Sequence, residues 1–102
     1  MKFIIRSSLW LIITLQTANI VQASDLNLGR EIYQQHCAMC HGVNGTASMA
    51  GAPDFKRGQG LMQSDRALLK RIQVGDKACP AYRGILTDQQ IFDVIAYVRA
   101  LF

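Results

Sequence analysis

The stretch Cys37-Ala38-Met39-Cys40-His41 decides the fold of this chain. It places two thiols three positions apart and an imidazole directly after the second thiol. Two thiols at this spacing near a helix end can bond to two vinyl-derived carbons of one porphyrin, and the imidazole that follows then lies under the iron. The pattern therefore predicts one covalent haem c, attached through Cys37 and Cys40, with His41 as the proximal iron ligand.

Two other kinds of site use the same residue types. A redox-active dithiol is expected beside alternating strands and helices, and the sequence has no stretch with a good strand pattern. A zinc ion has an acceptable ligand set in Cys37, Cys40, His41 and Cys79. Zinc would leave the last helix and the Gly-rich loop of residues 42–60 unexplained, so haem is the favoured interpretation.

Residues 1–23 have the pattern of a cleaved secretory signal peptide. Lys2 and Arg6 give it a positive start, residues 9–15 form a short apolar core, and Ala23 is a small residue at the predicted cleavage point. The apolar core is too short to cross a membrane, so no stable span is expected after cleavage. The pattern predicts a single domain at residues 24–102 in the periplasm, which agrees with the attachment of haem c outside the cytoplasm.

The composition limits the classes of function. The 102-residue chain is 50% hydrophobic and has a formal net charge of +4, and its lysines and arginines are scattered. Because no basic run alternates with aromatic residues, nucleic-acid binding is not expected. The sequence shows no paired nucleophile and base and no phosphate-binding loop, so it does not predict an enzyme.

Three stretches have helical patterns. The first covers about residues 28–40, with Asp25 or Asn27 as its N-cap. The second begins after Ser64, and the third begins with the capping box of residues 87–90. The apolar faces of these helices need more core than so short a chain supplies, and a large apolar ligand would provide it. We therefore predict an all-α domain in which three main helices and their loops surround one haem.

On these residues the chain resembles the class I monohaem c-type cytochromes. Besides the haem motif, Gly29, Tyr33 and Cys37 recur at four-residue spacing, as they do in the first helix of that family. The family glycine lets an aromatic residue of the last helix cross closely, and Tyr97 resembles that aromatic residue. The resemblance implies the small cytochrome c fold for residues 24–102.

Two loops carry the rest of the resemblance. Pro53 resembles the family proline whose carbonyl accepts a hydrogen bond from the proximal histidine and so fixes its tautomer. Residues 76–82 resemble the distal loop, where the family usually has a methionine before a proline as the sixth iron ligand. Cys79 stands in place of that methionine. The identity of the sixth ligand therefore has three alternatives: a Cys79 thiolate, the sulfur of Met62 or Met49, or a site that is vacant or holds water. Cys79 is our first choice.

The resemblance implies a one-electron carrier that works with periplasmic redox proteins. Residues 54–62, 78–80 and 84–86 resemble the small cytochrome found with dissimilatory haem nitrite reductases. This similarity implies a role in denitrification, either as electron donor to nitrite reductase or as a factor in its maturation.

Two alternatives from other functional classes stay open. One is a haem subunit of a sulfur-compound-oxidising enzyme that uses a cysteine-ligated haem. The other is a haem ligand sensor with an open sixth site. A monomer is expected in each case, and exchange of a terminal helix between two copies is the alternative for the oligomeric state.

Overall fold

The computed structural model describes residues 22–102. The predicted signal peptide at residues 1–23 therefore lies outside the described residues, apart from its last two positions. The described part contains four α-helices and one short 3-10 helix: α1 (Leu26–His36), α2 (Ala38–His41), the 3-10 helix (Phe55–Arg57), α3 (Asp65–Val74) and α4 (Asp88–Leu101). Within residues 22–102, strand-like pairing is limited to one isolated bridge between Arg83 and Leu86, so the predicted all-α fold class is confirmed.

Side-chain caps explain where the helices begin. The carboxylate of Asp25 accepts hydrogen bonds from the first backbone N–H groups of α1, which identifies it as the N-cap. Ser64 caps α3, and Thr87 forms the predicted capping box with Gln90 at the start of α4. Gly75 ends α3 in a conformation with φ of 68°, where a residue with a side chain would be strained.

The first predicted helix differs from the structure in one respect. Residues 28–40 form two helices, because the α-helical turn is interrupted at Cys37. The N–H of Cys37 still donates to the carbonyl of Tyr33, while its own carbonyl accepts from the N–H of His41 and starts α2. Gly42 then ends α2 with φ of 84°.

Helices α1 and α4 cross closely and form what we call the frame. A Cβ atom on Gly29 would lie 2.1 Å from the carbonyl oxygen of Asp93 and 3.2 Å from Cβ of Tyr97, so only glycine allows this approach. The ring of Tyr33 is fully buried, and its centroid lies 5.3 Å from that of Tyr97. The frame thus agrees with the expected pairing of a glycine with a last-helix aromatic residue.

A buried carboxylate links the two helices of the frame. Asp93 of α4 is only 2% exposed. It accepts hydrogen bonds from the backbone N–H of Asp25 at 2.9 Å and from the amide of Gln89 at 3.0 Å. Because these donors satisfy a charge that would otherwise be costly to bury, Asp93 fixes the start of α1 against α4.

Candidate functional site

A cavity of about 490 Å³ opens beside the frame. Its walls are the turn between α1 and α2, the loop at residues 49–53, one side of α3, the inner face of α4, and residues 76–80, which we call the distal loop. The volume lies in the range of cofactor pockets, and apolar side chains from α3 and α4 line much of it. All five residues that the sequence predicts for the haem site line this one cavity: Cys37, Cys40, His41, Pro53 and Cys79.

The imidazole of His41 is held in one tautomer. Its Nδ1 lies 3.0 Å from the carbonyl oxygen of Pro53. A carbonyl can only accept, so the proton is on Nδ1 and the lone pair of Nε2 is free to bind a metal. The ring of Phe55 stacks on the imidazole, with centroids 4.2 Å apart and planes 16° apart. These two contacts fix the orientation of the ring as well as the tautomer of the neutral imidazole.

The two thiols of the haem motif face the same cavity. Cys37 lies at the junction of α1 and α2, and Cys40 lies one turn further on, so both stand beside His41. Burial raises the pKa of the Cys37 thiol to about 12, and the neighbouring thiols of Cys79 and Cys40 add to this shift. While it is free, a thiol in these surroundings stays neutral at pH 7.

The zinc alternative does not fit the arrangement. Among residues 22–102, no group of three or more histidine, cysteine or acidic side chains stands close enough together to hold a metal ion. The four residues that sequence alone would allow as zinc ligands line one cavity without converging on one point. The residues of the haem motif therefore agree with a large flat ligand rather than with a small ion.

The distal loop places Cys79 on the cavity wall. Cys79 is partly buried, and burial raises the pKa of its thiol while the Arg71 guanidinium opposes that shift. Asp76 holds the loop: its carboxylate accepts from the N–H groups of Ala78 and Cys79, each at 3.2 Å. These backbone donors and the Arg71 guanidinium hold the pKa of the Asp76 carboxyl below its usual range.

The two candidate methionines are placed differently. Met62 is 92% exposed and does not line the cavity. Met49 lines the cavity, and its backbone N–H donates to the carbonyl of Cys40, which puts it on the side of the haem motif. Cys79 is thus the sulfur that reaches the cavity from the distal loop.

Arg99 of α4 supports one wall of the cavity and was not expected from the sequence. Its guanidinium donates to the carbonyl oxygens of Leu61 at 2.7 Å and Gln63 at 2.6 Å, and to the carboxylate of Asp65 at 2.9 Å. Leu61 and Gln63 both line the cavity, so Arg99 holds that wall in place. The side chain of Met62, between them, points out to solvent.

The sequence did not predict a role at the site for three residues: Phe55, Asp76 and Arg99. Asp76 had a detectable signal, because an aspartate two or three positions before a turn residue is the usual acceptor for its backbone N–H groups. Phe55 and Arg99 had none, since their partners are far away along the chain.

Taken together, these residues fit a covalently attached haem. The cavity has an apolar lining, two thiols, an imidazole whose Nδ1 is bonded to a carbonyl, and a sulfur on a separate loop. This is the donor set of a haem c with one imidazole and one sulfur available to the iron.

Comparison with known proteins gives consistent matches. The family model described as cytochrome C oxidase, cbb3-type, subunit III matches residues 24–98. Cytochrome c6 of Thermosynechococcus vestitus is 41% identical over 78 residues, which covers 74% of this chain and 70% of that protein. Cytochrome c6 of Parathermosynechococcus lividus is 40% identical over 77 residues and covers 74% of this chain and 88% of that protein.

A solved structure shares the fold as well. Cytochrome c6 from the diatom Phaeodactylum tricornutum superposes with a TM-score of 0.62 at 26% identity, covering 76% of this chain and 93% of that one. In the part of this chain that the structure describes, no helix is both long enough and apolar enough to cross a membrane.

Proposed function

Because the chain belongs to the class I c-type monohaem cytochromes, as a cytochrome c6-like domain, we propose that it is a periplasmic electron carrier with an unusual iron ligand. It binds one covalent haem c, and it is an electron-transfer protein rather than an enzyme. When bound, the haem supplies an iron centre that alternates between the ferric and ferrous states and so carries one electron.

The residues of the chain hold and orient this group. We assign Cys37 and Cys40 to the two thioether links and His41 to the proximal ligand. The Pro53 carbonyl keeps the proton of His41 on Nδ1, so that Nε2 faces the cavity. The observation that carries this assignment is that all these groups line one cavity of about 490 Å³.

We assign Cys79 to the sixth iron position. Cys79 lines the cavity from the distal loop, whereas Met62 is 92% exposed outside it. The burial that raises the pKa of the Cys79 thiol acts on the free protein, and a metal-bound thiol is deprotonated by the metal charge. An anionic thiolate stabilises ferric iron more than a thioether does, so this ligand lowers the reduction potential relative to relatives that use methionine.

Substitution at position 79 tests the ligand. In Cys79→Ser the thiolate-type absorption and paramagnetic resonance signals of the ferric protein are expected to disappear, and in Cys79→Met the potential is expected to rise by about 100 mV or more. Met62→Leu is the matched control and should leave the spectrum and potential unchanged. An unaltered spectrum in Cys79→Ser would exclude Cys79, and rapid carbon monoxide binding by the unmodified ferrous protein would favour an open site instead.

The periplasmic location rests on two observations. The first residues of the chain have a signal-peptide pattern, and the family match begins at residue 24, directly after the predicted cleavage point. Expression with a haem c maturation system, followed by fractionation and intact-mass analysis, tests this proposal. The expected product is a periplasmic protein that begins at Ser24 and carries the mass of one haem.

The partner we propose is a dissimilatory haem nitrite reductase. Its support is the resemblance of residues 54–62, 78–80 and 84–86 to the small cytochrome found with such reductases. Stopped-flow mixing of the reduced protein with oxidised nitrite reductase should show saturable electron transfer that slows with added salt. A cbb3-type oxidase and thiosulfate are the comparison reactants. Faster reaction with the oxidase would overturn the nitrite reductase assignment, and direct reduction of the ferric protein by thiosulfate would favour sulfur oxidation.

A further inference from the structure

We infer that Asp76 is the positioning residue of the sixth-ligand site: it turns the distal loop so that Cys79 faces the haem cavity. This inference rests on the proposed ligation by Cys79. Asp76 itself neither lies on the frame nor contacts the proposed proximal ligand, and its side chain is 51% exposed. A surface carboxylate in such a position would ordinarily be dispensable. The hydrogen bonds of Asp76 give it a structural role in this loop.

The backbone of Cys79 is held at both of its polar groups. One carboxylate oxygen of Asp76 accepts from the N–H of Cys79 and from that of Ala78, each at 3.2 Å. The backbone N–H of Asp76 donates to the carbonyl oxygen of Cys79 at 2.9 Å. The peptide groups on either side of the Cys79 Cα atom are thus both bonded to Asp76. Since they set the direction of the Cα–Cβ bond, Asp76 fixes the direction in which the Cys79 side chain leaves the backbone.

The second carboxylate oxygen anchors this turn to a helix. It pairs with the guanidinium of Arg71, which belongs to α3 and also lines the cavity. After the loop, the N–H of Tyr82 donates to the carbonyl oxygen of Ile72 at 3.0 Å, so the chain returns to the same helix. Asp76 therefore connects the turn that carries Cys79 to a wall of the cavity.

The turn is too tight to rearrange around a missing carboxylate without cost. Gly75 has φ of 68°, and a Cβ atom there would lie 2.5 Å from the carbonyl oxygen of Cys79 and 2.7 Å from the carbonyl carbon of Pro80. Without the carboxylate, two N–H groups lose their acceptor inside this turn, and the favourable response is for the turn to open toward water. Opening it withdraws Cys79 from the cavity wall.

The position of the charge indicates that Asp76 acts by orienting the loop rather than through its negative charge. A carboxylate beside a thiolate repels it, and Arg71 offsets this repulsion. An asparagine at position 76 keeps an acceptor oxygen and has no negative charge. The Asp76→Asn variant is therefore expected to preserve the site, whereas Asp76→Ala is expected to lose it.

The test uses the holoprotein and two measurements. In Asp76→Ala, amide hydrogen exchange at positions 78 and 79 is expected to become about tenfold faster, and the thiolate-type low-spin signal of the ferric protein should be lost. In Asp76→Asn both properties should stay close to the unmodified protein. Lys70→Ala in α3 is the control, because the exposed Lys70 side chain does not line the cavity and makes no hydrogen bond within residues 22–102. An Asp76→Ala protein that keeps the signal and the slow exchange overturns the inference.

The outcomes also separate this inference from the proposed ligation. If Cys79→Ser changes the spectrum and Asp76→Ala does not, Cys79 is a ligand that does not need Asp76. If Cys79→Ser leaves the spectrum unchanged, the ligation is wrong, and slow exchange at positions 78 and 79 then still shows whether Asp76 orders the turn. Should Asp76→Ala yield no folded holoprotein, Asp76→Ser, which keeps one acceptor oxygen, is the second variant. It should show an intermediate loss of the signal together with faster exchange at positions 78 and 79, and an intact signal despite faster exchange would overturn the inference.

Discussion

The frame and the distal loop are held in opposite ways. The frame of α1 and α4 depends on buried packing: Gly29 lets the α4 backbone at Asp93 approach α1 closely, and Tyr33 is completely buried. The distal loop depends on a few polar contacts of Asp76 near the surface. Packing determines whether the domain folds, while under the proposed ligation the loop determines which atom is offered to the iron. Changes in the frame should therefore reduce stability, and changes near the cavity rim should alter the haem environment in a protein that still folds.

The strongest way to break the frame is to add a side chain at its crossing point. In Gly29→Val the new Cβ atom would lie 2.1 Å from the carbonyl oxygen of Asp93, so α1 and α4 must separate. Overpacking of this kind is expected to lower the free energy of unfolding by about 3 kcal/mol. Urea unfolding of the holoprotein measures the change. Gln35→Val, on the exposed face of the same helix, should cost about 0.5 kcal/mol or less, and equal midpoints for the two variants would contradict the packing argument.

An intermediate effect is expected where the frame supports the cavity wall. Arg99→Met keeps much of the side-chain length but removes the hydrogen bonds to the carbonyl oxygens of Leu61 and Gln63. We expect a loss of about 2 kcal/mol, together with faster amide exchange around residues 61–63. Arg66→Met is the control, because the structure gives this exposed arginine of α3 no such contacts. Unchanged exchange at residues 61–63 in Arg99→Met would show that Arg99 does not hold the wall.

The smallest loss of stability is expected at Thr87, the N-cap of α4. Thr87→Ala removes the side chain that accepts from the backbone N–H of Gln90 at 3.1 Å. Loss of an N-cap is expected to cost about 1 kcal/mol without altering the optical spectrum, because Thr87 does not line the cavity. Thermal unfolding followed at a haem band and by circular dichroism measures both properties. Thr87→Ser should restore the stability, and a spectral change in Thr87→Ala would show that the frame and the site are not separable.

The features that sequence could predict are those encoded over a few neighbouring residues. The haem motif, the caps at Asp25, Ser64 and Thr87, and the stop at Gly75 depend on contacts within one or two turns of helix. Such contacts repeat in many proteins, so their residue patterns are recognisable. The resemblance to the class I cytochromes also implied a close approach of the first and last helices at Gly29.

The features that sequence could not predict depend on distant partners or on small changes of direction. The interruption at Cys37 changes no hydrophobic pattern, so residues 28–40 read as one helix. The 3-10 helix at Phe55–Arg57 is too short to have a period of its own. Arg99 finds its acceptors 36 and 38 positions away, and such pairs leave no trace in local composition. Arg99 bonds to the carbonyl oxygens on either side of Met62, whose side chain is exposed. Sequence alone therefore could not exclude Met62 as the source of the sulfur ligand.

The bond between the backbone of Asp25 and the carboxylate of Asp93 has a consequence for the order of assembly. The two residues are 68 positions apart, so the helix that precedes the haem motif cannot dock until the helix furthest along the chain has been made. Contacts of this range form late and slowly in folding. We therefore expect residues 37–41 to be accessible on an open chain before α4 docks, and haem attachment to be easiest in that interval.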